Sequence, residues 1–441
     1  MDTFLDLASH ILAASVLELF PQSALVGGGH DGLKFHYDFE FPFEFQKEFL
    51  PLIEEKMRQL AKEQDQVQIF EMVPAVAASF LLHHNQPRRA VAAQEHPETL
   101  AAVVQLRAFT DYSPYPVQTG PLFFKLDPDF HRLGSAVRIS GVSFRTKDRL
   151  KNFLKSEDPL TLGEALNLFV QDDSGSLLWL PRGEILRQTL IAWWKQEHAD
   201  QGFEFVFTRG APEAHRALLE LAPELSRVAE IGESDLATLR GSEAETISSL
   251  QFFVKILTIF GFKHRLILSR GRSSLLRKAV AQCRLSAEGE GKRVEVRVQD
   301  RWEREWTGPT LELLEGGLIA RTVFSSLEKW ILNLLDHTQG NLPFWLAPEQ
   351  VRICPLKQDP GPLKAQLSAL GLRAAVEESE KKLGEKIHDA LRERIPYIIV
   401  LGEKEQKLNK VSVRAYGARA EELMDQESLI EKLVEERNYR L

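Results

Sequence analysis

The last hundred residues carry the pattern that most restricts the fold. Apolar runs at 350–356, 397–401 and 410–415 are interleaved with helical spacing at 363–370, 379–394 and 427–438. Strands alternating with helices predict βαβ units, because a parallel strand pair needs a crossover long enough to hold a helix. This part is therefore expected to be a small α/β domain on a mainly parallel sheet.

The front of the chain reads differently. Phe4, Leu5, Leu7, Ile11, Leu12, Val16, Leu17 and Phe20 recur at helical spacing until Pro21 stops the pattern, so residues 3–20 predict an amphipathic helix. Gly27-Gly28-Gly29 has no following Lys-Ser/Thr and runs into a strand-like segment, which favours a turn over a phosphate loop. Leu33 to Phe41 alternate aromatic and polar side chains with the period of a strand. Residues 46–63 return to helical spacing, whereas 65–135 are broken by Pro87, Pro97, Pro114, Pro116 and Pro121 and give no clear pattern. Between 155 and 341 the spacing predicts a helix at 183–198, a strand at 203–208, helices near 243–260 and 273–286, a strand at 293–299 and a helix at 323–338. That mixture is an α+β unit.

At 441 residues the chain suggests about three domains, and 44% hydrophobic with 27% charged residues suits packed cores. The net charge of −8 excludes a histone-like basic protein. No apolar run reaches the roughly 20 residues of a membrane span. Met1-Asp2-Thr3-Phe4-Leu5-Asp6 is acidic where a secretory signal is basic, so the expected compartment is the cytoplasm. The two cysteines, Cys283 and Cys354, build no disulfide framework and no zinc knuckle, and are read as reduced, buried thiols.

Chemistry-bearing patterns are sparse. His83 and His84 are adjacent and diverge on either a helix or a strand, and no Gly-x-Ser-x-Gly elbow occurs. Charge is more informative. Residues 251–310 hold 13 basic against 6 acidic side chains in an acidic protein, and Lys263, Arg265, Arg270, Arg272, Arg277 and Lys278 follow one another with no acid among them. Such a density suits phosphate neutralisation, and equally a solvated helix face. Residues 342–441 carry 17 basic and 17 acidic residues, so their net charge makes no case for RNA.

LPFWLAPEQV at 342–351, RIPYIIVLGEKE at 394–405 and KVSVRAYG at 410–417 resemble the anticodon-binding domain of threonyl-tRNA synthetases, a family of class II aminoacyl-tRNA synthetases. LGEALNLFV at 162–170, LWLPRGEILRQTLIAWWKQEH at 178–198 and ARTVFSSLEKWILNLLDH at 320–337 resemble pieces of its catalytic domain. VRISGVSFRTKDRLKNFL at 137–154, with HILAASVLELFP and LKFHYDFEFP nearer the start, is similar to its editing domain. The resemblance implies three parts: an editing-like domain at 1–155, a shortened class II antiparallel-sheet core at 156–341, and an α/β anticodon-binding-like domain at 342–441.

It also implies chemistry that the matched positions do not carry. Family editing sites hold a His-x-x-x-His pair, yet His10 is followed by Ala14, and the companion Cys-Arg-Gly-Pro-His aligns with Ser113-Pro114-Tyr115-Pro116-Val117. Family enzymes bind zinc through a cysteine and two histidines to select threonine. No Asn-Cys-Pro-Gly-His segment occurs here, and Ala320 stands at the histidine before motif 3. The interval between Pro212 and Gln251 holds no motif 2 arginine stretch. Motif 3 survives as Arg321, Glu328 and Lys329, with Ser325 in place of a glycine and lysine in place of the final arginine. Arg209 replaces the motif 1 proline, and Gly289 to Arg293 shorten a longer family loop.

The expectation is a degenerate paralogue without aminoacylation or editing activity and without zinc or ATP as cofactor. Its expected partner is tRNA or another structured RNA, met through the 263–278 cations and through Lys386, Lys404, Asn409, Arg414 and Tyr416. Two alternatives stand beside it: an active ligase rearranged around Arg321, Lys329 and the 270–278 arginines, and a protein-binding regulator that dimerises with a genuine synthetase. A homodimer or a heterodimer with a genuine synthetase is expected for the chain as a partner arrangement.

Overall fold

The computed structural model describes every residue except 1–2, 32–33, 63–66, 98, 115–116, 173, 209–211, 223, 303–304, 357–358, 403–409 and 439–441. It forms two compact units, residues 1–156 and 157–441.

In the first unit α1 (Thr3–Leu19) leads into β1 (Ala24–Asp31) and β2 (Lys34–Glu40). A short 3-10 turn (Lys47–Phe49) precedes α2 (Leu50–Ala61). Then come β3 (Gln68–Met72), α3 (Pro74–His83), α4 (Pro87–Gln94), β4 (Ala101–Leu106), β5 (Phe109–Ser113), β6 (Phe123–Leu126), β7 (His131–Leu133), β8 (Ala136–Phe144) and α5 (Lys147–Lys155). One antiparallel sheet has the order β1-β2-β8-β6, with β7 also on β8, and a second has the order β3-β4-β5. The alternation seen in the sequence is realised in β2: Phe35, Tyr37 and Phe39 are buried beside Ile11, Leu12 and Val16 of α1.

The three glycines are not a turn. They lie within β1, paired across to Asp38, Tyr37 and His36. The reason is close approach: a Cβ at Gly28 would overlap the Tyr37 ring and the Ser9 hydroxyl.

The second unit opens with α6 (Pro159–Ala165), β9 (Phe169–Gln171), β10 (Leu177–Trp179) and α7 (Pro181–Ala199). It continues with β11 (Glu204–Phe205), α8 (Pro212–Leu221), β12 (Arg227–Ile231), β13 (Asp235–Arg240), α9 (Glu243–Phe260), β14 (Lys263–Ser269) and α10 (Ser274–Gln282). After β15 (Ala287–Gly289), β16 (Arg293–Gln299), β17 (Glu305–Leu314), β18 (Leu318–Thr322) and α11 (Leu327–Thr338) the eight-stranded sheet is complete, in the order β11-β12-β13-β18-β17-β16-β14-β15. Its inner pairings are antiparallel. Ala237, Leu239, Val294, Val296, Leu311 and Ile319 share a core with α7, α9, α10 and α11. Strand alternation sends their neighbours Arg293, Glu295, Thr310, Glu312, Ala320 and Thr322 to the opposite face.

The predicted helix at 323–338 begins later, at Leu327, where the Ser326 hydroxyl accepts from the Lys329 amide as a helix cap. The predicted strand at 203–208 shrinks to Glu204–Phe205.

The C-terminal part holds β19 (Val351–Pro355), α12 (Gly361–Ala369), β20 (Ala374–Val376), α13 (Leu383–Arg392), β21 (Tyr397–Leu401), β22 (Lys410–Ala415), β23 (Glu422–Asp425) and α14 (Gln426–Asn438). In its sheet, β20-β19-β21-β22-β23, four of the five strands run in one direction and only β22 runs against its neighbours β21 and β23, as a mainly parallel sheet with one reversed strand.

Candidate functional site

The run of cations without intervening acids meets acids in space. Arg265, on β14, donates to Glu305 at 2.7 Å and to Glu288 at 2.7 Å, and those hydrogen bonds raise its pKa. Arg270 reaches Glu312 at 3.0 Å, while Arg272 and Arg277 share Glu290. Strands β15, β16 and β17 and their connections bring these carboxylates across the sheet. Lys263 and Lys278 remain exposed beside the paired arginines.

The C-terminal candidates divide. Lys386 is buried, its Nζ donating to the Glu377 carbonyl at 3.3 Å, so the expectation of an open phosphate contact there is corrected. Arg414 is half-buried on β22 opposite Ile398, with its Nε buried and lacking a hydrogen-bond partner among the described residues. Tyr416 is half-buried with the Arg394 guanidinium 5.7 Å from its ring centre. Lys404 and Asn409 lie outside the described residues, as does Arg209.

The motif 3 remnant is held by a residue the sequence reading missed. Buried Asp235 accepts from the Val323, Phe324 and Ser325 amides at 2.7, 2.8 and 3.3 Å, and from the Trp194 indole at 2.8 Å. Burial raises its pKa against those four hydrogen bonds. Ser325 sits at φ +56°, the backbone state that explains a glycine at that position.

Arg321 does not share the face of Ala320. It turns into the helix-covered core, 2% exposed, between the Phe203 and Phe252 rings at 4.8 and 4.6 Å, and donates to Gln201 and Ser249. Burial pushes its guanidinium down to about 9. Glu328 is half-buried and Lys329 exposed on the first turn of α11. Strand β18 thus turns Arg321 into the helix-covered core, away from the face on which Arg270 bonds Glu312.

On the side that Ala320 faces, the sheet carries a charge ladder. Arg270 and Arg293 both bond Glu312, Arg293 and Arg297 both bond Glu295, and Arg297 also donates to Thr307. Beyond it α8 covers the sheet: Leu219 packs on Val228 and Leu318, and buried His215 meets the Thr238 hydroxyl at 3.0 Å. Burial lowers the pKa of His215. Zinc does not fit these residues. The cross-strand neighbours of Ala320 are Thr238 and Glu312, and Glu312 is already taken by two arginines. Among the described residues no group of three metal-ligating side chains comes together. Cys354 is buried in the C-terminal part and Cys283 is half-buried, both free, which corrects the reading of two buried thiols.

In the first unit, His10 belongs to a buried network of which it alone was anticipated. Its Nδ1 lies 3.1 Å from the Asp111 carboxylate, which also accepts from the Tyr37 hydroxyl at 2.7 Å and the Arg89 Nε at 2.7 Å. Burial alone would raise Asp111, but the Arg89 charge and His10 hold it down at about 2. Tyr37 is pushed well up by burial and by the Asp111 charge. Around the network Ala14 and Val117 are plain core residues. Tyr115 and Pro116 lie outside the described residues. Arg89 follows Arg88 in PRRAVAAQ and Asp111 stands in FTDYS, so neither position gave a signal in the sequence.

Residues 350–436 match the family described as "Anticodon binding domain". Threonine–tRNA ligase of Acetivibrio thermocellus is 25% identical, aligned over 94% of this chain and 85% of its own length. That of Chlamydia felis is 25% identical over 99% of this chain and 88% of its own. Among solved structures, the RNA binding domain of threonyl-tRNA synthetase from Cryptosporidium parvum superposes with a TM-score of 0.57 at 19% identity, covering 63% of this chain and 98% of that one.

Proposed function

The chain belongs to the threonyl-tRNA synthetase family, and from that premise we propose that it is a tRNA- or structured-RNA-binding member that neither charges nor edits tRNA. The observation that carries this reading is the sheet face around Ala320. There Arg270, Arg293, Glu295, Arg297 and Glu312 satisfy one another, and α8 covers the adjoining strands. An ATP α-phosphate needs uncommitted cations aimed at the charge that develops in the transition state. Here each arginine of the ladder already holds a carboxylate.

The editing-like unit supports the same reading. A hydrolytic site needs a group free to move a proton, and the Asp111 carboxylate is spent on Arg89, Tyr37 and His10. RNA binding rests on the anticodon-binding match and on the exposed cations. We place this work in the cytoplasm, with no zinc or ATP as cofactor. The chain acts as a homodimer, or as a heterodimer with a genuine synthetase.

That the aligned relatives are named ligases favours a second reading, in which the chain still makes threonyl-adenylate. Threonine-dependent exchange of pyrophosphate into ATP separates the two. The proposal expects no exchange above a no-enzyme control, together with salt-sensitive retention of tRNA on the purified protein. Exchange abolished by Lys329→Ala would establish the ligase instead. Salt-insensitive partner binding with no RNA retained would point to a regulator that works through protein alone.

A further inference from the structure

The first unit carries a regular row of exposed lysines, and we propose that they form a seat for an unpaired RNA strand. The proposal rests on the reading that the protein binds RNA, and deepens it by naming a contact outside the anticodon-binding part.

Helix α5 presents Lys147, Lys151 and Lys155 at four-residue intervals, all exposed. The spacing stacks them along one side of the helix, about 6 Å apart. That is close to the step between successive phosphates of an RNA strand. None of the three has a carboxylate partner among the described residues, whereas Arg265, Arg270, Arg272 and Arg277 each hold a glutamate.

The stripe begins at a groove of about 610 Å³ between α2, the start of β6 and α5. Lys62, Lys125 and Lys147 stand on it with Arg58, and Leu150 and Phe123 supply its apolar surface. Phe123 is 37% exposed, because edge strand β6 turns Phe124 inward and Phe123 outward. Arg58 pairs with Glu54 and with Glu55, which also lines the groove, and Lys125 pairs with Glu54 as well, so the excess charge is that of Lys62 and Lys147. Lys62 has no partner among the described residues. The groove thus combines excess positive charge with an open aromatic face. That combination suits a base stacked on Phe123 with its phosphates running along the lysine stripe, recognition that tolerates any sequence. A helical duplex has no free base to offer the groove, so the occupant is single-stranded.

The test measures binding of the full chain to an unstructured RNA octamer and, separately, to bulk tRNA, across a salt series. Replacing Lys147, Lys151 and Lys155 together by alanine should flatten the log–log salt slope for the octamer by about 2, each lost phosphate contact being worth about 0.7. The same three positions changed to arginine should restore it. Phe123→Ala should weaken octamer binding about tenfold while leaving the slope unchanged. Octamer binding that is absent, or that neither variant alters, overturns the seat. An effect of the lysines without one of Phe123 makes the stripe a general polyanion surface and also overturns it. If the variants leave octamer binding unchanged while tRNA is still retained, the seat fails and the RNA-binding reading stands. If the octamer binds as expected and tRNA does not, the seat stands and the tRNA reading fails.

Discussion

Replacing Asp111 by alanine removes the one carboxylate that holds Arg89, Tyr37 and His10 together in the interior of the first unit. The size of the effect has two sources. Asp111 is held down at about 2 from an ordinary 3.8, and a shift of that size corresponds to about 2 kcal/mol. Because the folded pKa is the lower one, this stabilisation is fully present above about pH 4 and is lost as pH falls through about 2. Truncation removes it at neutral pH and also leaves a buried guanidinium without its partner. Together these cost about 3–5 kcal/mol. All seven tryptophans lie between 179 and 345, so their fluorescence reports only the second unit. Hydrogen exchange of peptides covering 34–40 and 101–113 reads the first unit directly. Protection there should fall by at least about a hundredfold in Asp111→Ala, since each 1.4 kcal/mol is about a factor of ten. Pairing Asp111→Leu with Arg89→Met should recover most of that protection, because apolar replacement of a whole buried pair is far less costly than breaking it. Protection unchanged within threefold in the single variant would refute the argument that this network is a stabilising core element.

Glu290→Gln frees Arg272 and Arg277, and tRNA affinity should then rise with a salt slope steeper by about 1–2; an unchanged slope removes these arginines from the RNA surface. His198 is fully buried against Trp194, and burial followed by repulsion from Arg321 lowers it to about 3. Its contribution is complete above about pH 6.5 and is lost as pH falls toward 3, at up to about 1.4 kcal/mol per pH unit. Urea midpoints followed by tryptophan emission should therefore drop between pH 6.5 and 5, and should drop less in His198→Gln. Gly261 ends α9 at φ +70°, so Gly261→Ala should cost about 1 kcal/mol in the same assay, and no loss would contradict the left-handed cap.

What could be read in advance followed from local periodicity, and what could not depended on partners distant in sequence. Strand β2 was legible because burial alternates residue by residue from Phe35 to Phe39. Gly27 to Gly29 were misread because glycine answers two needs, a turn or a close approach, and only the Tyr37 ring lying over Gly28 decides between them. The antiparallel β22 was in fact legible: eight residues separate it from β21, too few for the dozen or so of a parallel crossover. Charge was the least legible property. Arg270 and Glu312 are 42 residues apart in sequence, and a window around either shows only one sign. Asp235 gave no signal at all, since its role is to accept amides from a loop 88–90 residues later.

The motif 3 loop separates retention of a backbone from retention of chemistry. Asp235 holds three successive amides and an indole, and this keeps Ser325 in a glycine-like conformation whatever the loop faces. Such a loop is required for packing, since Phe324 and Trp330 on either side of it belong to the core of the sheet. Its survival therefore says little about adenylate binding. The side chains on the open face are under no such packing requirement, and it is there that arginines and glutamates have come to satisfy each other. With Glu312 shared by Arg270 and Arg293, a histidine placed at Ala320 alone would find its cross-strand carboxylate already committed. On the proposed reading, gaining that chemistry would take several simultaneous changes, while the fold itself would need none.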